Sequence, residues 1–321
     1  MKRALIVGID NYSFGPLKGC VADAKNMYEV LSFNGDADFP SPNFHCNLLI
    51  SDSTEITRKK LTRAIREILD DSTGTVDSAV FYFAGHGYEN ELGGYLVTQD
   101  AELYSEGVAM SNILKWCNDS SISEITIILD CCHAGHLGNA EAGDSSRTLL
   151  PRGVSIITSS DARQKSKEAK GEGLFTSIIY EALSGGAADI LGNITVPSLY
   201  HYADRMLGPM DQRPVYKTYV PELTPIRKVK PRITRSQLYQ LTQLFQDPKD
   251  KFPLCKSHEP TEKLGNKEYE KVFALLQKMT AAGLVQPIGE EHMYWAAVRE
   301  KSCGLTPQGQ FYWQITKKGR F

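Results

Sequence analysis

The sequence predicts an α/β fold, in which a mostly parallel β-sheet carries helices on both faces. Two unbroken hydrophobic segments, residues 80–83 and 125–129, have the composition of strands that are buried on both sides. Three further hydrophobic segments alternate with stretches in which apolar residues recur at helical spacing. This alternation is typical of parallel sheets, because each parallel strand needs a crossover connection to reach the next.

The predicted elements follow each other in a regular order. Strands are predicted at 3–9, about 45–50, 80–83, 125–129 and 153–158, and helices at about 20–33, 53–70, 108–117 and 175–183. The second helix is a good example, since Ile56, Leu61 and Ile65 stand near helical spacing. Between the third strand and the third helix the sequence predicts only a turn region.

The composition is that of an ordinary folded protein. The chain has 321 residues, 41% of them hydrophobic, with a formal charge of −2, which gives no general reason to expect binding to nucleic acid or membranes. No apolar window of 18 or more residues occurs, and the apolar run after Met1-Lys2-Arg3 is short, so we expect neither a membrane span nor a signal peptide. Seven cysteines without repeated C-x-x-C spacing favour reduced thiols in the cytoplasm.

Potentially reactive residues follow both of the longest hydrophobic segments. His86 stands between two glycines, and Cys131 and Cys132 follow the segment that ends 46 residues later. If the two strands are parallel neighbours, their carboxyl ends bring histidine and thiol to one edge of the sheet, as a nucleophile and its base require. Taken singly, such a cysteine is more often a small buried hydrophobe, so the hypothesis depends on the pair. From the residues alone, either thiol is a candidate.

Several spaced motifs resemble those of caspase-like peptidases. The motifs are the first strand, residues 19–23 (Gly-Cys-Val-Ala-Asp), the histidine motif at 82–87, the cysteine motif at 129–135 and residues 173–176 (Gly-Leu-Phe-Thr). The similarity runs from residue 3 to about residue 220 and is closest to metacaspases and their prokaryotic homologues, the orthocaspases. One departure is Ala84, where metacaspases often have serine. The resemblance selects Cys132 as the nucleophile and leaves Cys131 as its buried neighbour.

The resemblance implies a cysteine peptidase without a required cofactor. His86 would assist deprotonation of Cys132, whose thiolate attacks a peptide carbonyl, and the N–H groups of Gly87 and Cys132 would hold the oxyanion. Asp23 and Asp130 would line the pocket for the residue before the cleaved bond, so that cleavage after Arg or Lys is expected. For Asp23 the residues leave another interpretation open, a first-turn carboxylate that stabilises its own helix.

Two further expectations concern basic residues in loops. A caspase that cuts after Asp is the alternative specificity, and Arg152 and Arg163 are the residues that could line its pocket, although both lie in stretches typical of exposed loops. An enzyme that prefers basic residues could instead cleave itself at Arg147 or Arg152. A solvated charged loop is the plainer interpretation.

Metal binding is expected to be regulatory at most. Residues 131–136 contain two cysteines and two histidines, which suit zinc, but their spacing matches no paired-ligand pattern, so no metal site is predicted. Activation by Ca²⁺ is implied by the resemblance to metacaspases, with Asp100 and Glu102 as acidic candidates. No loop like an EF-hand is present, and simple solvation is the alternative for both carboxylates.

The composition changes after residue 220. We expect a peptidase domain at 1–220, a linker or extended segment rich in proline and basic residues at 221–233, and a second domain at 234–321. In the second domain the sequence predicts helices at 236–245 and 267–282, a hairpin whose return strand is Met293–Arg299, and a last helix that starts at Pro307. This order resembles a winged-helix domain.

The sequence leaves three classes of function open. The first is a cysteine endopeptidase acting on proteins, whose C-terminal domain regulates it or recruits a protein partner, in regulated cell death or defence by family analogy. The second is a DNA-binding regulator with a caspase-like sensor, because residues 234–321 contain 13 basic and 9 acidic residues. The third is a non-catalytic scaffold, against which the intact His86 and Cys132 argue.

Overall fold

The computed structural model divides into two compact units. It describes residues 1–36, 38, 40–102, 105–131, 150–159, 168–169, 172–208, 213–264 and 266–320. The first unit comprises Met1–Ala188 and Asn193–Val229, and the second comprises Asp189–Gly192 and Lys230–Phe321. The segments that carry the caspase-like motifs therefore belong to the first unit.

The first unit alternates strands and helices. Its strands are β1 (Lys2–Gly8), β2 (Phe33–Asn34), β3 (Ser41–Pro42), β4 (His45–Ile50), β5 (Ser78–Ala84), β6 (Gly87–Asn90), β7 (Gly93–Glu102), β8 (Ser105–Ala109), β9 (Glu124–Asp130), β10 (Val154–Thr158), β11 (Glu168–Ala169), β12 (Glu172–Gly173), β13 (Asn193–Ile194), β14 (Val215–Tyr219) and β15 (Arg227–Lys228). Its helices are α1 (Cys20–Ser32), α2 (Arg58–Leu69), α3 (Met110–Asp119), α4 (Leu174–Glu181) and α5 (Val196–Leu207).

The central sheet is mostly parallel, as predicted. Its strand order is β14, β10, β9, β5, β1, β4, and the pairs between β10 and β4 are all parallel. The edge strand β14 pairs antiparallel with β10. Helices α2 and α3 pack on one face, and α1, α4 and α5 pack on the other. The predicted α/β fold is confirmed.

Alternating side chains of the central strands fill two cores. On β5, Phe81 and Phe83 pack on the side of α2 and α3, whereas Val80 and Tyr82 pack on the side of α1 and α4. Every residue of β5 is buried. Because truncating a buried phenylalanine to alanine typically costs ~3–5 kcal/mol, this strand is a rigid base for the residues that follow it.

An antiparallel sheet of β6, β7 and β8 lies between β5 and α3 along the chain. The sequence predicted only turns here, which is wrong. The segment is rich in glycine and polar residues, and only a few apolar side chains, such as Leu96 and Val108, are buried. Gly107 shows why a glycine occurs inside a strand, since a Cβ at this residue would lie 2.1 Å from the carbonyl oxygen of Leu96.

The second unit combines helices with a small antiparallel sheet. Its elements are α6 (Arg235–Leu244), β16 (Lys251–Pro253), α7 (Lys267–Ala281), β17 (Val285–Ile288), α8 (Met293–Val298), β18 (Ser302–Leu305) and α9 (Pro307–Lys317). The strands lie in the order β16, β18, β17 around a core of its own. Across the described residues of both units, no helix combines the length and apolar character needed to cross a membrane.

One prediction for the second unit is wrong. Met293–Arg299 was expected to be the return strand of a hairpin, but Met293–Val298 is a helix and the strand that pairs with β17 is β18. Met293, Ala296 and Ala297 are the buried residues of this helix, at spacings of three and four. The two alanines favour helix, and in so short and continuous an apolar segment the sequence does not distinguish helical from alternating spacing.

Candidate active site

His86 lies just beyond the carboxyl end of β5, in a half-buried position. Its ring packs against Tyr12, with ring centroids 4.6 Å apart, and against Phe14 at 6.1 Å. Both aromatic residues belong to the loop that follows β1. Because β1 is the neighbour of β5 in the sheet, this loop is placed directly over the histidine.

The imidazole is held in one orientation by a backbone group. Its Nε2 atom lies 2.6 Å from the carbonyl oxygen of Gly15. A carbonyl oxygen can only accept a hydrogen bond, so Nε2 carries the proton of the neutral ring. The unprotonated nitrogen is then Nδ1, which is the atom able to act as a base. A backbone carbonyl therefore sets the tautomer of His86.

Tyr12 also fixes the backbone at the histidine. Its hydroxyl accepts a hydrogen bond from the N–H of His86 at 3.1 Å and donates one to the carbonyl of Val97 at 3.1 Å. Burial raises the pKa of Tyr12 well above its usual value, so the hydroxyl keeps its proton for Val97. A Cβ on Gly85 would lie 2.6 Å from this hydroxyl oxygen. The glycine before His86 is therefore required by Tyr12.

Gly87 is the first residue of β6. The N–H of Val97 donates to the carbonyl of His86 at 3.0 Å, and the next pair in the register is Gly87 with Leu96. Antiparallel pairs alternate between hydrogen-bonded and non-hydrogen-bonded positions. The N–H of Gly87 therefore points away from β7.

The predicted nucleophile Cys132 lies outside the described residues. Its strand is described, and the parallel register pairs Ala84 of β5 with Asp130 of β9. The N–H of Gly85 continues this pairing with a bond to the carbonyl of Asp130 at 3.4 Å. In the sequence, His86 and Cys132 are each the second residue after this pair. Cys131 is only 2% exposed, which confirms that it is a buried neighbour.

Asp23 lies in the first turn of α1, and its side chain also makes a contact outside this helix. The N-terminal N–H groups of α1, those of Cys20 and Val21, donate to the carboxylate of Asp10 at 2.9 and 3.2 Å. Asp23 is 3% exposed, and its Oδ2 accepts a hydrogen bond from the N–H of Gly173 at 3.0 Å. The carboxylate of Asp23 is thus directed to the start of α4.

Asp130 reaches the same place from β9. Its Oδ2 accepts a hydrogen bond from the hydroxyl of Thr176 at 2.8 Å, and this hydroxyl lies 2.7 Å from that of Tyr82. A Cβ on Gly173 would be 2.5 Å from Oδ2 of Asp130 and 2.9 Å from Oδ2 of Asp23. The two predicted pocket acids therefore converge on Gly173, where any other residue would collide with them.

Cys20 stands beside these acids and was not singled out from the sequence. Burial raises the pKa of its thiol far above the usual value, and the charges of Asp10, Asp130 and Asp23 raise it further. The thiol consequently stays protonated at neutral pH. Tyr12 and Gly15 were also missed, and Thr176 was noted only as part of a motif, because their contacts join distant segments and leave no local pattern in the sequence.

Of the basic residues considered for the pocket, Arg152 is described and lies elsewhere. It is exposed and lies two residues before the start of β10, at the amino end of that strand. Asp130 is at the carboxyl end of the neighbouring parallel strand, five residues after Ile125, which is the partner of Val154, so it lies roughly 16 Å beyond the start of β10. Arg152 therefore cannot line this pocket. Arg147 and Arg163 lie outside the described residues.

The acidic candidates for calcium are both exposed. Asp100 accepts hydrogen bonds from the N–H of Arg58 at 2.8 Å and from the hydroxyl of Thr98 at 2.7 Å, so that it caps the start of α2. Within the described part of the chain, no group of three or more Cys, His, Asp or Glu residues has the arrangement of a metal site. Of residues 131–136, only Cys131 is described.

Comparisons with known proteins agree with this architecture. The Peptidase_C14 family, described as the caspase domain, matches residues 1–243. The crystal structure of caspase-1 from Spodoptera frugiperda is similar with a TM-score of 0.50 and 13% identity, over 71% of this chain and 90% of that chain. Protein GSU0716 from Geobacter sulfurreducens has a TM-score of 0.47 and 17% identity, over 71% of this chain and 99% of that chain. No curated protein sequence matches the chain. The match over residues 1–243, on a sheet with this strand order, shows that the chain belongs to the caspase-domain family of cysteine peptidases, whose substrates are proteins.

Proposed function

We propose that this protein is a cysteine endopeptidase that uses His86 and Cys132 and cleaves peptide bonds after arginine or lysine. The observation that carries the proposal is the convergence of Asp23 and Asp130 on Gly173, beside the strand end from which His86 emerges. Two carboxylates at one place favour a cationic side chain, and the planar guanidinium of arginine suits them best.

In the proposed mechanism His86 is the general base. Its Nδ1 takes the proton of the Cys132 thiol, and the thiolate attacks the carbonyl carbon of the substrate. The carbonyl of Gly15 stabilises the imidazolium that forms, since it accepts a hydrogen bond from the N–H at Nε2. The imidazolium then donates its Nδ1 proton to the leaving amine, and water hydrolyses the acyl-enzyme.

The negative charge that develops on the substrate oxygen needs hydrogen-bond donors. We assign this role to the N–H groups of Gly87 and Cys132. The orientation of the Gly87 N–H away from β7 supports the assignment. Loss of one such donor typically lowers the rate ~100-fold or more.

The acidic pocket explains the proposed specificity. The N–H of Gly173 donates to the carboxylate of Asp23, and the hydroxyl of Thr176 donates to that of Asp130. The N-terminal end of α4 favours the same negative charge. An arginine or lysine side chain of the substrate would neutralise it.

The biological setting follows from the family resemblance. We propose a role in regulated proteolysis during cell death or defence, activation by Ca²⁺, and a C-terminal unit that regulates the peptidase or recruits a protein partner. Cys20, Cys46, Cys117, Cys255 and Cys303 are free thiols, which supports the reducing cytoplasm as its location.

The test is an assay of the purified full chain with fluorogenic peptides that end in Arg, Lys or Asp, with and without Ca²⁺. We expect cleavage after Arg and Lys, little after Asp, and none of it in Cys132→Ala. Faster cleavage after Asp would contradict the specificity. Cleavage that persists in Cys132→Ala would contradict the assigned nucleophile.

A further inference from the structure

Thr176 is a buried polar contact of one of the pocket acids. It is 1% exposed, lies in the first turn of α4, and places its hydroxyl 2.8 Å from Oδ2 of Asp130 and 2.7 Å from the hydroxyl of Tyr82. Tyr82 itself is completely buried on β5. Three oxygen atoms from three elements of the fold thus form one continuous chain of hydrogen bonds.

The direction of these hydrogen bonds is determined by the acid. An ionised carboxylate can only accept, so Thr176 must use its single hydroxyl proton for Asp130. The tyrosine hydroxyl must then donate to Thr176. Burial raises the pKa of Tyr82 well above its usual value, and the charges of Asp130 and Asp23 raise it further, so Tyr82 retains the proton that it donates.

We infer that Thr176, supported by Tyr82, is a positioning residue that determines selectivity for basic substrates by orienting Asp130. This inference rests on the proposed function. Asp130 is the last residue of β9, and the hydroxyl of Thr176 contacts one of its carboxylate oxygens at 2.8 Å. Thr176 holds one oxygen beside Gly173, where the carboxylate of Asp23 also arrives. The two acids thereby act on one cation together.

The residue that pairs with Asp130 on β5 supplies a further argument for the role of Thr176. Ala84 pairs with Asp130 across the sheet. Alanine has no hydroxyl to offer to the pocket. The hydroxyl of Thr176 lies on α4 instead and contacts the carboxylate directly.

The experiment measures binding in the absence of catalysis. In the Cys132→Ala full chain, the affinity for a peptide amide that ends in arginine is compared with that for the same peptide ending in leucine. We expect Thr176→Val to weaken binding of the arginine peptide about 10-fold or more, the loss typical of one charge-assisted hydrogen bond. Binding of the leucine peptide should not change. Thr176→Ser, which restores the hydroxyl, should recover most of the affinity.

A matched control is available on β9. Thr126 is also buried, on the same strand as Asp130, and Thr126→Val is the same chemical change. It should leave both affinities unchanged. Equal losses in Thr126→Val and Thr176→Val, or a Thr176→Ser variant as weak as Thr176→Val, would overturn the inference. Should Thr176→Val not fold, Tyr82→Phe removes the supporting donor at nearly constant volume, and unchanged arginine affinity in that variant would overturn the role of Tyr82.

Measurements of peptidase activity distinguish a failure of this inference from a failure of the proposed function. In the active chain, Thr176→Val should raise KM for arginine substrates and leave kcat within about threefold, because the variant changes binding and not the dyad. A wild type that binds arginine peptides in a manner dependent on Thr176 but cleaves nothing would refute the peptidase and leave the inference standing. A wild type that cleaves peptides without preferring arginine would refute the inference and leave the peptidase activity standing.

Discussion

The Nε2 atom of His86 lies 2.6 Å from the carbonyl oxygen of Gly15. A main-chain carbonyl therefore orients the base of the proposed dyad and stabilises its protonated form. Such a group cannot be deleted by substitution, because every residue at position 15 retains a carbonyl. The role of the loop after β1 must be tested through its neighbours.

Two glycines near His86 provide the first test. At Gly85 a Cβ would lie 2.6 Å from the hydroxyl of Tyr12, whereas at Gly15 a Cβ would meet Nε2 of His86 at an ordinary 3.4 Å. We expect Gly85→Ala to lower kcat/KM at least about 10-fold by displacing His86, and Gly15→Ala to retain most of the activity. Steady-state kinetics on the arginine peptide measure both. Equal activities of the two variants would contradict the contact with Tyr12.

Tyr12 provides the second prediction. Tyr12→Phe leaves the N–H of His86 and the carbonyl of Val97 without the hydroxyl that joins them, which typically costs ~1–3 kcal/mol per unsatisfied buried group. We expect a lower free energy of unfolding and a lower kcat, measured by urea denaturation and by the peptide assay.

Tyr216→Phe is the control for this effect. The hydroxyl of Tyr216 is buried, and no hydrogen-bond partner for it occurs in the described ranges. Its removal should therefore leave the free energy of unfolding unchanged or increase it. A similar loss of stability in both variants would show that deletion of any buried hydroxyl, and not the bridge at His86, explains the result.

These contacts also show how far the sequence could predict the site. Strands β5 and β9 were predictable because each is an unbroken hydrophobic run, and the carboxyl ends of parallel strands indicate where chemistry occurs. The contacts that hold the site were not predictable. Tyr12 binds the backbone of a residue 74 positions later, and Thr176 binds Asp130 across 46 positions. No local pattern encodes such a pair.

The two wrong predictions about the fold have a related cause. In β6–β8, glycines and polar residues hide the alternation of apolar side chains that marks a strand, and the sheet is formed by backbone pairing. In Met293–Val298, a short apolar segment fits both helical and strand periodicity, and the packing of Ala296 and Ala297 in the core of the second unit decides for helix.

The third prediction concerns the two pocket acids. Asp23→Asn and Asp130→Asn each remove a charge where both carboxylates meet, so kcat/KM for arginine substrates should fall about 100-fold. Asp52→Asn is the control, because Asp52 is an exposed acid that pairs only loosely with Lys25, at 3.8 Å. It should have no effect. If all three variants cleave arginine peptides equally, the pocket lies elsewhere.

The reactivity of the thiols yields the fourth prediction. Burial raises the pKa of Cys117 and of Cys303 to about 12 each, so at pH 8 only ~1 in 10⁴ of either thiol is ionised. Iodoacetamide at pH 8 should alkylate Cys132 first and leave Cys117 and Cys303 unmodified in the folded chain, and their labelling should increase only as the pH approaches 12. His86→Ala should slow alkylation of Cys132 at least about 10-fold.

Mass spectrometry of peptides from the labelled chain identifies the modified residues. Unfolding in urea should make Cys117 and Cys303 react as fast as the other cysteines, since burial causes the protection. Rapid labelling of these two thiols in the folded protein, or a labelling rate of Cys132 that does not depend on His86, would contradict the prediction.

Self-cleavage is the last prediction, and the structure argues against one of its two candidate sites, Arg152. Arg152 is exposed, but the backbone beside it is bound: the N–H of Gly153 donates to Tyr219 at 2.7 Å, and its carbonyl accepts from Ile125 at 2.8 Å. A peptidase needs an extended segment that can leave its own hydrogen bonds. We therefore expect a purified sample to be cut after Arg147, which lies outside the described residues, and not after Arg152.

Arg147→Gln should abolish the cut, Arg152→Gln should leave it, and Cys132→Ala should stay intact. Cutting of Cys132→Ala alone in solution would indicate a contaminating peptidase, whereas cutting of Cys132→Ala only after addition of the active chain would show that the reaction occurs between molecules.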